Sequence, residues 1–336
     1  MNTDKRGFKS ILLRHETILV LLLIAEVLYF NAAGRRFGTL DNGFNIVRHS
    51  VEIGLLALVM TPIILTGGID LSVGSMLGLC AVLFGKLWRD AGLPPWLAGI
   101  CTLVIGAACG GVNAALITRL RLPPLIVTLG TMSLFRGLAE AITQGTDAFT
   151  NFPPSFLFLG TGRVAGLPTQ AWILLFVIVA VWLLVHRTTF GRSFRAIGFA
   201  PEGARYAGIP VERRIAFAYV LAGVIAAAAA LTYTARFGTA KADAGFGYEL
   251  FAITAVVLGG TSIFGGVGSV HGTLLGVAAI AVLSNGLSRV PAIMNTASEL
   301  SGMLTGALLL LALAGGLLPK LFAARAKQSA SSAAAK

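Results

Sequence analysis

Few side chains in this chain could do chemistry, and Asp70 stands out because of its surroundings. It lies in Thr66-Gly67-Gly68-Ile69-Asp70-Leu71-Ser72-Val73-Gly74-Ser75, with long apolar segments on both sides. An aspartate at the centre of a membrane helix costs about 2.5–3.5 kcal/mol on insertion scales, so the position needs a reason. Glycines break the helix beside it, and irregular backbone at membrane depth is tolerated only where it is buried in protein or lines a wet cavity. Two readings follow. In one, the carboxylate and the exposed backbone shape a pathway or hold a gate. In the other, Asp70 and Ser72 cap the next helix by accepting an orphan backbone N–H, at a break that faces the cytoplasm and its water.

Other chemistries are excluded by residue type and placement. Proteolysis within the membrane needs two carboxylates sharing a proton, and the remaining candidates, Asp147 and Asp243, fall in outside loops. No catalytic residue is therefore expected. Cys80, Cys101 and Cys109 lie in apolar runs without a CxxC pair, which argues against a disulfide framework and a metal site. The chain has no G-x-x-x-x-G-K-[ST] phosphate loop, so it cannot hydrolyse ATP itself, and no bound cofactor is expected. Glu26, Glu52, Asp70, Glu140 and Glu299 are the acids available to an ion-coupled secondary carrier, the alternative function; they form no evident relay. Arg136 should pair with Glu140, one turn later on the same helix. Asn113, beside Gly110 and Gly111, fits close helix packing with an interhelical hydrogen bond.

The elements that must position these residues follow from composition. Hydrophobic residues make up 56% of the 336, charged residues 12%, against about 25% charged in a soluble domain. The fold class is an all-α polytopic membrane protein. Apolar runs predict ten spans near 17–33, 51–66, 71–88, 95–118, 124–143, 170–186, 215–235, 249–262, 269–288 and 297–318, bounded by a basic N-terminus (1–16) and a disordered tail (320–336). The first span reads as a retained helix rather than a signal peptide, because Glu26 interrupts it and Asn31-Ala32-Ala33-Gly34 is a poor cleavage site. The net charge of +12 lies between spans and at the ends. It places 16 Lys and Arg residues inside and nine outside for an N-in/C-in topology, the positive-inside pattern rather than a nucleic-acid surface.

From about Phe37 to Pro319 the chain resembles the membrane subunits of ribose-type ABC importers, the carbohydrate-uptake permeases. Four landmarks in order carry the resemblance. They are Thr66 to Gly74; Gly111-Val112-Asn113 with Pro123 to Met132 and Arg136-Gly137; Thr189-Phe190-Gly191-Arg192 with Ala196-Ile197-Gly198 and Ala204 to Ile209; and Leu258-Gly259-Gly260-Thr261-Ser262-Ile263-Phe264-Gly265-Gly266-Val267-Gly268-Ser269. The resemblance implies a type II importer-like permease of the bacterial inner membrane, moving a monosaccharide or small polyol. Nucleosides or branched-chain amino acids are the alternative cargo. It also implies a cytoplasmic ATPase that uses ATP and Mg, a periplasmic sugar-binding protein and a second permease chain.

Within the polar stretch 187–214, Pro201, Glu202, Gly203, Ala204, Arg205 and Gly208 read as a short helix, with proline and an acid at its start and glycine at its end. In the resembled family this part contacts the ATPase. The strings around Gly67, Gly68 and Gly74 and around Gly259, Gly260, Gly265 and Gly266 look alike and hint at an internal repeat.

Overall fold

The computed structural model describes residues 15–145 and 148–314. In chain order it contains α1 (His15–Ala33), α2 (Leu40–Leu65), α3 (Val73–Arg89), α4 (Pro95–Thr118), α5 (Pro124–Ile142) and α6 (Pro154–Thr161). A two-stranded hairpin, β1 (Arg163–Val164) and β2 (Leu167–Pro168), leads to α7 (Thr169–Arg187), α8 (Thr189–Phe199) and α9 (Pro201–Tyr206). The chain continues with α10 (Val211–Phe237), α11 (Tyr248–Leu258), α12 (Val270–Leu287), the 3-10 turn Met294–Thr296 and α13 (297–314).

Local sequence sets the helix starts. Pro95, Pro124, Pro154 and Pro201 each open a helix where the missing N–H is not needed. Thr39 and Ser269 instead cap α2 and α12, accepting from Asn42 N at 3.3 Å and Gly272 N at 3.0 Å. The Thr39 cap is why α2 begins at Leu40 rather than near 51. Its polar first turns are held by Asn42, which donates to Phe37 O at 3.0 Å and to Asn285 Oδ1 at 2.9 Å.

The core forms around α2, α3 and α10. The inner half of α2, from Leu55 to Leu65, is fully buried. The alanine-rich α10 packs on α4 through Gly106, Gly110 and Gly223, where added methyls would strike the facing backbone. Such small-residue seams let membrane helices approach closely. Large apolar side chains such as Ile100, Val104, Ile126 and Phe176 project outward, as expected of a lipid-facing surface.

Among the described residues, eight helices are long and apolar enough to cross a membrane. Two segments read as spans are shorter than these eight. Helix α3 has 17 residues and α11 only 11, about 25 and 16 Å at 1.5 Å per residue, against a hydrocarbon core of about 30 Å. The eighth span is thus corrected: helix covers Tyr248–Leu258, and residues 238–247 before it are non-helical. That non-helical stretch runs beside α3. Ala240 pairs with Phe149, which lies on Gly85; Ala242 and Ala244 lie over Gly78; Gly245 lies over Gly74. The expected tail 320–336 and residues 1–14 of the basic N-terminus lie outside the described residues.

Candidate functional site

The break at the end of α2 is built by a glycine cap. Gly67, at φ +81°, donates to Ile64 O at 2.9 Å, and Gly68 N donates to Ile63 O at 3.1 Å, the paired bonds of a Schellman motif. The end of α11 repeats it. Gly260, at φ +85°, donates to Val257 O, and Thr261 N donates to Val256 O. Both strings thus end a helix with the same kind of cap, Gly67 and Gly260 each taking its left-handed position.

Beyond Gly68 the chain is held by a line of buried polar groups. Asp70 Oδ1 accepts from Ser72 N at 2.8 Å and from Ser72 Oγ at 2.6 Å. Ser72 Oγ accepts from Asn113 Nδ2 at 2.8 Å, and Asn113 Oδ1 accepts from Thr131 Oγ1 at 2.7 Å. Thr128 and Tyr219 donate to Ile69 O at 3.2 and 3.4 Å. One line thus joins the break to α4, α5 and α10.

This corrects the capping expectation in detail. Ser72 occupies the N-cap of α3 but makes no side-chain bond to the helix; its hydroxyl turns to Asp70. Asp70 secures the residue before the helix instead. Within the break the Asp70 and Ser72 side chains are both 0% exposed, whereas Gly67 before them is exposed. Asn113 makes the expected interhelical bonds and brings Thr131 with it. Thr128 and Thr131 were missed, although their spacing of three on an apolar helix was a visible signal.

A second feature ties this break to the α8–α9 end of the bundle. Gly266 N donates to Leu65 O at 2.9 Å. Methyl groups placed on Gly198 or Gly265 would strike the backbones of Leu65, Gly266 and Gly67. Gly67, Gly198, Gly265 and Gly266 thus meet backbone against backbone. Gly198 was not among the expected site residues. Gly259 has a different role, touching the Gly272 backbone where α11 folds back on α12.

Helices α8 and α9 stand on this junction. Thr188 caps α8 by accepting from Phe190 N at 3.1 Å. Arg195 donates to Val185 O at 3.0 Å and to Gly268 O at 3.4 Å. Ala204 is buried with Ile197 and Val211. Gly208, at φ +78°, ends α9. Arg205 pairs with Glu202 and, at 2.7 Å, with Glu212; the Glu212 hydrogen bond raises its pKa. Phe199 and Tyr206 are 86% and 91% exposed. An open cleft of about 440 Å³ lies among Arg195, Phe199, Gly203, Ile209 and Gly266.

The expected Arg136–Glu140 pair is also corrected. Arg136 Nη1 donates to the carbonyls of Ala242 and, at 3.2 Å, Ala244, while Glu140 is exposed. Two carbonyls of the non-helical segment give a half-buried guanidinium more directed bonding than a flexible surface acid. A buried ion pair was missed altogether. Arg236 Nε lies 3.4 Å from Glu52 Oε1, and its Nη1 donates to Arg48 O at 2.8 Å. Glu52 is 0% exposed. Among the described residues no group of three His, Cys, Asp or Glu side chains could hold a metal.

The arrangement is one of helix breaks and backbone contacts. It offers two interrupted crossings packed side by side and a rigid backbone link to an exposed helix pair, a plan common among transporters. Residues 42–313 match the family described as branched-chain amino acid transport system / permease component. The chain belongs to that family. It is 39% identical over 307 residues to an autoinducer 2 import system permease protein LsrD of Photorhabdus laumondii, covering 89% of this chain and 90% of the relative. Proteins of the same name from Yersinia pseudotuberculosis and Escherichia coli O9:H4 are each 37% identical over 305 residues, covering 89% of this chain and 90% and 91% of theirs. No solved structure matches. The family and the apolar helices make this a multi-pass permease of the inner membrane.

Proposed function

We propose that this chain is the membrane subunit of an ATP-driven ABC importer for a monosaccharide or related small polyol. Autoinducer 2, the cargo in the relatives' name, is the first ligand to test. A branched-chain amino acid, from the family's description, is the comparison.

The observation that carries the reading is the backbone junction between Leu65, Gly198 and Gly266. Helix α9 with Phe199 and Tyr206 is the cytoplasmic docking surface for an ATPase subunit that supplies ATP and Mg chemistry. A push on α8–α9 reaches the Asp70 break through Gly198 without crossing flexible chain. A periplasmic binding protein delivers cargo to the opposite face, and a second permease chain completes the path. The membrane lipid surrounds the outward apolar faces, and no nucleic-acid role is assigned.

Gly203→Trp tests the docking surface. Gly203 is exposed beside the cleft, and a β-carbon there meets only Ala200 Cβ at 3.4 Å. The variant should insert and fold normally yet lose ATPase co-purification and uptake. Unchanged uptake would reduce α9 to a topology loop.

A further inference from the structure

The segment 238–247 raises a question that the coupling reading leaves open. It lies beside α3 between Gly85 and Gly74, within the thickness that α3 crosses. Ala240, Ala242, Ala244 and Gly245 are buried, whereas Lys241, Asp243 and Phe246 are exposed. The buried side is fixed by Phe149 pairing with Ala240 and by Arg136 on the carbonyls of Ala242 and Ala244. Non-helical backbone bearing Lys and Asp at this depth cannot face acyl chains; it faces water or protein.

Helix α5 gives an independent sign. Ser133, Gly137 and Glu140 form an exposed stripe around Arg136, at spacings that share one helix face. Arg136 also lies 5.8 Å from the centre of the Phe246 ring, so the polar stripe and the exposed segment adjoin. Phe246 is 78% exposed.

We propose that Ser133, Glu140, Asp243 and Phe246 wall the cargo path, with Phe246 and Asp243 contacting a polyhydroxylated cargo. The proposal rests on the importer reading. The Phe246 ring face offers apolar surface to the C–H face of a sugar, and the Asp243 carboxylate accepts from hydroxyls through charge-assisted bonds. Arg136 is a positioning residue that holds the segment by its carbonyls.

The test uses the full chain, co-expressed with its ATPase, in membranes with the three native cysteines changed to alanine. Cysteines at Asp243, Phe246 and the outward-facing Ile126 are exposed to a water-soluble maleimide. Positions 243 and 246 should react, and position 126 should not. Failure of both to react overturns the wall. Phe246→Ala and Asp243→Ala should each raise the KM for imported ribose or autoinducer 2 at least tenfold, with ATPase binding unchanged; Phe246→Trp should restore the KM. An unchanged KM in both alanine variants overturns cargo contact. Should the parent import neither probe, the importer reading fails for them while the labelling still decides the wall.

Discussion

Gly266 donates its backbone N–H to the carbonyl of Leu65 at 2.9 Å, joining the last residue of α2 to a loop more than half the chain away. The carbonyls at a helix end lack intrahelical partners, and here a distant glycine string supplies one. Gly198 of α8 sits over the same bond. The contact is therefore three-way, and it has no side chains through which motion could be absorbed.

Gly198→Val should break this junction. Its side chain would collide with Leu65 O and the Gly266 backbone, and overpacking of this kind costs about 1–3 kcal/mol. A lower melting temperature in detergent, with uptake lost and ATPase binding retained, is expected. A fully stable and active variant would show that the close approach is dispensable.

Asp70 and Asn113 should behave as one unit because Ser72 Oγ bridges them. Asp70→Asn keeps an acceptor for Ser72 and should retain most uptake. Asp70→Ala leaves a buried N–H and hydroxyl unpaired, a loss of about 1–3 kcal/mol. Combined with Asn113→Ala, the loss should be non-additive by about 0.5–3 kcal/mol. Strict additivity in a denaturation cycle would show that the two residues act separately.

The Glu52–Arg236 pair predicts a one-sided penalty. Arg236→Met strands a fully buried carboxylate and should destabilise by about 3–5 kcal/mol. Glu52→Met together with Arg236→Met should recover much of that loss, as thermal unfolding of the purified protein would reveal. If the single change is harmless, the ion pair is not holding α2 to α10.

Orientation is checked by cysteines at two exposed positions, Thr161 in α6 and Tyr206 in α9. In intact cells a membrane-impermeant thiol reagent should label position 161 and spare position 206. The reverse pattern would place α9 outside and end its role as a docking surface.

Much of the fold was legible because lipid imposes simple rules. The apolar runs located α4, α5, α7 and α10 within a few residues, and the glycine strings marked both helix breaks. The misses share a cause. Residues 238–247 read as an outside loop because Lys241 and Asp243 lower their hydropathy, and no local pattern encodes that they run beside α3 with Arg136 on their carbonyls. The one-turn rule pointed Arg136 toward Glu140 because it sees only neighbours on the same helix. Gly198 lay in a quoted motif, but its importance depends on a backbone contact that no local pattern encodes. Ala204, expected on the docking surface, is buried, so Ala204→Glu would test folding rather than docking.

Coupled uptake in proteoliposomes tests the central claim most directly. The parent chain, its ATPase and its binding protein are reconstituted with ATP on the ATPase side, and labelled cargo is followed together with phosphate release. Gly198→Val should still bind the ATPase and permit hydrolysis, while cargo uptake per ATP falls at least tenfold. Uptake per ATP equal to the parent, or parent uptake that proceeds without ATP and collapses with an uncoupler, would contradict the account.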